Sequence, residues 1–192
     1  MRNDKVLWLV TVALAIVPAT AALAQDEEAG RSLAPVLSPA VSGPPAPEMA
    51  QLDRWVGEWK ATYTMPKSKA IPEGARGEGT MSVKKGIAGT FLVADSKSSA
   101  WVGASEDHSL TTFDRATRQW KGWTFGSADP ANPIFSTGTV AGDTITMEAS
   151  RGDVRLRETQ TLANRDRIEG KVEVETGGEW HVMMTSTYMR VK

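Results

Sequence analysis

The side chains suited to proton transfer near neutral pH are two histidines, His108 and His181, in a chain with no cysteine. Nucleophilic catalysis needs a base within hydrogen-bond reach of a nucleophile. His108 stands in Ser105-Glu106-Asp107-His108-Ser109, a polar stretch that reads as a turn leading into a strand, so it is expected to be solvated. Glu106, Asp107 and His108 would need further ligands to hold a metal, and no spacing signals them. The chain carries no Gly-x-Ser-x-Gly elbow, no phosphate loop and no paired-His motif. No catalytic residue, metal site or cofactor is predicted, and the chain is not expected to be an enzyme. The absence of Cys also excludes a disulfide scaffold, thiolate catalysis and the lipid-bearing Cys of a bacterial lipoprotein.

The elements that must position any site are mostly strands. Glu48 to Val56 is the one helix-like stretch, with Met49, Leu52, Trp55 and Val56 at helical spacing, Pro47 before it and Gly57 ending it. From there the period is two. Trp59, Ala61, Tyr63 and Met65 oppose Lys60, Thr62 and Thr64, and Ile168, Val172 and Val174 oppose Glu169, Lys171, Glu173 and Glu175. In the last run Trp180, Val182, Met184, Ser186 and Tyr188 oppose His181, Met183, Thr185, Thr187 and Met189. Candidate windows lie near 58–65, 77–85, 88–95, 98–104, 108–114, 118–126, 133–140, 143–150, 153–163, 166–175 and 179–190. Short turn signals such as Ala141-Gly142-Asp143, Arg151-Gly152-Asp153 and Thr176-Gly177-Gly178 join neighbours as hairpins. This pattern favours an antiparallel meander, and closing it into a barrel removes exposed edges.

On such a scaffold Trp101, Trp120, Trp123, Phe125, Phe135 and Trp180 fall on candidate strands, with Trp120 and Trp123 on opposite faces. Inward aromatics either fill a barrel core or line one small apolar pocket. The candidate pocket-lining residues are Tyr63, Trp101, Trp120, Trp180 and Met184. Arg155 and Arg157 share a face, and an inward pair would suit a ligand carboxylate. Val154 and Leu156 claim the interior, however, so both Arg are expected outside.

With 22 Lys+Arg against 23 Asp+Glu the formal charge is −1, which excludes an electrostatic nucleic-acid binder. Arg2, Asp4 and Lys5 give a net +1 start, Val6 to Val17 is uncharged, and small residues after Pro18 lead to Ala22-Leu23-Ala24. This is the pattern of a secretory signal over 1–24, cleaved after Ala24, and it predicts a periplasmic or extracellular protein without stable membrane insertion. The rival reading is a retained anchor, since Val6 to Ala24 is 19 uncharged residues, just long enough to span. Residues 25–47, with Pro35, Pro39, Pro44, Pro45 and Pro47, read as a disordered linker, leaving 48–192 as the folded domain.

A short helix followed by Gly57-x-Trp59 opening the first strand resembles the lipocalin and calycin barrels. In that superfamily the Trp plugs one barrel end and a late basic residue packs across it, which implies a structural signature of Gly57, Trp59 and Arg190 here. Across the whole domain, Leu52-x-x-x-Val56-Gly57-x-Trp59, Gly86-Ile87-Ala88-Gly89-Thr90-Phe91-Leu92, Thr112-Phe113-Asp114-x-x-Thr117-x-x-Trp120 and Ser136-Thr137-Gly138-Thr139 are similar to DUF1579. That is an uncharacterised, often bacterial family of lipocalin-like proteins. The chain departs from its pattern at Ile87-Ala88-Gly89, where a Leu-Gly-Gly-like turn is expected. The resemblance implies an all-β fold, an antiparallel up-and-down lipocalin-like barrel of roughly ten strands with a short N-terminal helix, and no established activity. Some small calycin-like barrels, the nitrobindins, bind haem through a His near the C-terminus. If Arg190 reaches Trp59, His181 points outward unless a bulge shifts the register, which disfavours haem. The expected function is an exported binder of an apolar or amphipathic small molecule. The alternatives are an envelope interaction protein with a solidly packed barrel and a haem-binding barrel.

Overall fold

Met49, Leu52 and Trp55 recur every third residue and are all buried, which matches the three-residue period of the 3-10 helix that runs over Pro47–Trp55. Such a helix is long for its type. Its stabilisation comes from burial, since Leu52 is 0% exposed and each such side chain contributes about 1.5–3 kcal/mol. The computed structural model describes residues 44–192 apart from 70, 101 and 102. The signal predicted over 1–24, the linker as far as residue 43, and Trp101 lie outside the described residues. Pro47 opens the helix and Ala46 is buried, so the last residues of the composition-based linker pack with the domain.

Ten strands follow the helix: β1 (Gly57–Met65), β2 (Ala75–Gly86), β3 (Phe91–Ala100), β4 (Gly103–Asp114), β5 (Gln119–Gly126), β6 (Ile134–Ala141), β7 (Thr144–Arg151), β8 (Val154–Asn164), β9 (Arg167–Thr176) and β10 (Glu179–Arg190). Each pairs antiparallel with its sequence neighbours, and β1 pairs with β10, so the sheet closes into an up-and-down barrel without edges. The three windows 88–95, 98–104 and 108–114 become two long strands, β3 and β4. Ser96 and Ser98 interrupt the apolar alternation without breaking the strand, because they face a cavity rather than a packed core.

The helix covers one end of the barrel. Asp53 bonds Lys85 at 2.5 Å, and Arg54 pairs with Asp143 in the β6–β7 turn. At this end Trp59 is 1% exposed and donates its indole N–H to Trp55 O at 3.0 Å. Arg190, directly opposite Trp59 in the β1–β10 register, places its guanidinium carbon 4.1 Å from the Trp59 ring centroid. Its planar fork donates to Val56 O at 2.7 Å, Arg54 O at 2.9 Å and Arg165 O at 3.0 Å. One side chain thus ties the helix end, the β8–β9 turn and the last strand together. Gly57 makes this approach possible, since a Cβ there would lie 2.1 Å from Arg190 Nη1.

Non-glycine residues take left-handed φ in two turns, at Arg118 (φ 55°) between β4 and β5 and twice between β2 and β3. Ile87 (φ 48°) and Ala88 (φ 53°) both adopt the left-handed region, and both side chains are exposed, so packing does not offset the cost.

Two outcomes are expected in thermal melts. Arg190→Ala loses about 2–4 kcal/mol, and Arg190→Lys recovers only part because an ammonium cannot reach three carbonyls and a ring face. A melting shift under about 3 °C for Arg190→Ala would refute the tie. Ala88→Gly is expected to stabilise by about 0.5–1 kcal/mol by relieving the left-handed turn, and a lowered melting temperature would count against that account.

Candidate functional site

Inward positions decide what the barrel contains. On β3 they run Leu92, Ala94, Ser96, Ser98 from the helix end outward, and in register on β4 they run Thr111, Ser109, Asp107, Ser105. On β3 the inner surface therefore grades from apolar to hydroxyl-bearing along the barrel axis, and the facing positions of β4 are polar throughout. Cross-strand hydroxyl pairs, Ser98–Ser105 at 2.7 Å and Ser109–Thr124 at 3.0 Å, satisfy part of that wall. Between these walls lies a cavity of about 340 Å³ whose floor includes Trp55 from the helix. It falls at the small end of ligand pockets. The barrel is thus not solidly packed, which corrects the packed-barrel alternative.

Two acids face this cavity, Asp107 and Glu158, and no Lys, Arg or His is among its lining residues. Glu158 on β8 sits in register between Met147 on β7 and Val172 on β9. Its side chain is exposed and lines the cavity. Burial pushes its carboxyl above the usual carboxylate range, and the charge of Asp107 adds to that shift. The Gln160 amide, donating to Oε1 at 2.7 Å, opposes it. Burial likewise raises the Asp107 carboxyl. Tyr63 and Tyr188 meet edge to face at 6.1 Å in the same space, and burial raises both phenols. Trp55 adds a buried indole N–H without an acceptor.

The predicted site residues divide. Tyr63 and Met184 line the cavity. Trp120 does not; it packs edge-on against Phe113 at 5.3 Å in the core and is 4% exposed. Trp180 is corrected more sharply, because β10 carries a bulge between Val182 and Met184. Above the bulge Trp180 opposes Glu175 on the outer face, and its ring stacks under Arg157 at 4.2 Å and Arg155 at 5.3 Å. Both Arg are therefore outside, as the alternation of β8 requires. The bulge also corrects His181, which now opposes Val174 on the inner-face parity but is exposed and not a lining residue. His108 is on the outer face beside Asp95, with Nδ1 2.5 Å from the carboxylate. A haem reading thus lacks a His on the cavity wall, and among the described residues no group of three His, Cys, Asp or Glu converges as a metal site.

Sequence reasoning missed Glu158 and Asp107. The signal for Glu158 was present, since it shares the parity of Leu156 and Leu162, the inward side of β8. An acid on the parity of inward leucines is placed on the inner face by the two-residue period.

A family model described as "Protein of unknown function (DUF1579)" matches residues 44–190. The chain matches no protein of curated function. Among solved structures it is similar to an S-type phycobiliprotein lyase from Guillardia theta, with 14% identity, TM-score 0.53, and 77% of this chain and 99% of that one covered. It is also similar to Rv2717c from M. tuberculosis, with 15% identity, TM-score 0.56 and the same coverages of 77% and 99%. A protein of unknown function from the DUF3598 family of Nostoc punctiforme shows 15% identity and TM-score 0.50, over 79% of this chain and 52% of its own. At these identities the likeness is one of fold.

The raised Glu158 carboxyl has a measurable consequence. A folded-state pKa above the unfolded value of about 4.3 means the folded chain binds the proton more tightly. The contribution is fully present below that value and is lost as pH rises through the folded pKa. Glu158→Gln keeps the bond from Gln160 and removes the titration. Its stability advantage over the parent, from urea unfolding at a series of pH values, is therefore expected to grow from acid toward pH 8. A difference independent of pH would contradict the assignment.

Proposed function

Because the chain belongs to DUF1579, a family of unknown function, we propose its role from the cavity: an exported, non-catalytic protein that holds one amphipathic small molecule inside its barrel. The observation that carries this reading is the graded cavity itself, with an apolar floor under Trp55 and Leu92 and a hydroxyl-rich wall at Ser96, Ser98 and Ser109. Burial of apolar ligand surface supplies affinity at about 25 cal/mol per Å², and the few polar groups fix orientation. Export rests on the charged start, apolar middle and Ala22-Leu23-Ala24 end of the first 24 residues.

An interaction role has one observation on its side. On the outer wall Trp123 lies between Phe91 at 6.4 Å and Phe135 at 5.5 Å, and Phe135 is 46% exposed.

Native mass spectrometry of the protein purified from its own cell envelope, compared with the denatured sample, separates these roles. The expected result is a mass excess that disappears on denaturation, on a polypeptide that begins at Gln25. Bare polypeptide mass in both samples, together with Trp emission unmoved by an apolar fluorescent probe, would remove the binder reading and leave the outer aromatic row as the lead.

A further inference from the structure

We infer that the ligand carries a protonated amine, which seats on Glu158 and Asp107 while its apolar body fills the space toward Trp55. This rests on the binder reading above and names the chemical class that the same cavity selects. Three observations carry it. The cavity holds two carboxyl groups and no cationic side chain, so an anionic ligand such as a fatty acid meets like charge and no counter-ion. Glu158 has one oxygen engaged by Gln160, and among the described residues no other side chain donates to either carboxyl group. The immediate neighbours of Glu158 across the sheet are Met147 and Val172, with Met184 next along that row. Apolar walls around a carboxylate suit the alkyl or aryl body of an organic cation.

The energetics favour the same class. An isolated carboxylate in this setting is costly, and it either keeps its proton or acquires a partner. An ammonium ion supplies up to three donors to the free oxygens of Glu158 and Asp107, as charge-assisted bonds. The hydroxyls of Ser96, Ser109 and Tyr63 line the same cavity and offer further acceptors to a multiply donating head group. An alcohol of equal length gains the apolar burial but only neutral hydrogen bonds. The arrangement therefore predicts a rank order set by the head group at constant tail.

The test uses octylamine, octanol and octanoate, titrated calorimetrically into the signal-free protein at pH 7. The expected order is amine, then alcohol, then carboxylate, with the amine ahead of the alcohol by about 10- to 100-fold. Glu158→Gln is expected to bring amine and alcohol within about twofold of each other, and Asp107→Asn to reduce the gap partway. Circular dichroism melts of each variant establish that it is folded. If octanoate binds as well as octylamine, or Glu158→Gln leaves the preference intact, the amine assignment is overturned and the binder reading stands. If none of the three binds, the binder reading itself fails and the inference falls with it.

Discussion

A ring of ten antiparallel strands encloses more space than its own inward side chains fill, because barrel diameter grows with strand number and about eight strands already suffice for a filled interior. That geometric excess is the constraint on which the other features depend. It must be closed at one end, or water would enter from both sides. The closure is made by a 3-10 helix whose three-residue repeat presents Met49, Leu52 and Trp55 downward, and by Arg190 clamped over Trp59. The clamp is economical in sequence terms. One late Arg, one early Gly-x-Trp and the β1–β10 pairing join the two ends of the domain.

Much of this architecture was legible beforehand because it follows from period and punctuation. The alternation of β1 shows one buried face, and the Gly-containing turns give hairpin connections. The Trp59–Arg190 contact was legible only through resemblance, since nothing in spacing alone places residue 190 beside residue 59. Two features escaped for different physical reasons. The polar tract Asp95–Ser99 reads as a break because apolar alternation detects a packed core, and Ser96 and Ser98 face an unfilled one. The faces of β10 escaped because a bulge changes parity within a single strand. One extra residue near Met183 moves Trp180 outside and brings His181 to the inner-face parity, while Met184, Ser186 and Tyr188 keep their expected side.

The displaced Trp180 found a sound environment. Outside, it lies under Arg157, whose Nε also donates to Glu173 at 2.9 Å, with Lys171 on the other carboxylate oxygen at 3.0 Å. A large aromatic, two cations and a carboxylate form a compact layer on the outer wall of β8, β9 and β10. Glu173 is only 5% exposed, yet the Arg157 guanidinium holds its carboxyl below the usual range despite that burial.

Glu173 and Glu158 together show how the pleat sorts chemistry. Arg157 and Glu173 are directly opposed, and one step along each strand Glu158 opposes Val172. A shift of a single residue, about 3.3 Å along the strand, moves a carboxylate from a cationic outer layer to an apolar inner one. The same functional group is then held down in one place and pushed up in the other. Because a strand offers only two faces, a carboxyl placed on the inner one meets whatever the cavity contains. Its charge is met in part by the Gln160 amide, which opposes the upward shift. The apolar neighbours Met147, Val172 and Met184 leave Gln160 as the one side chain among the described residues that donates to this interior acid.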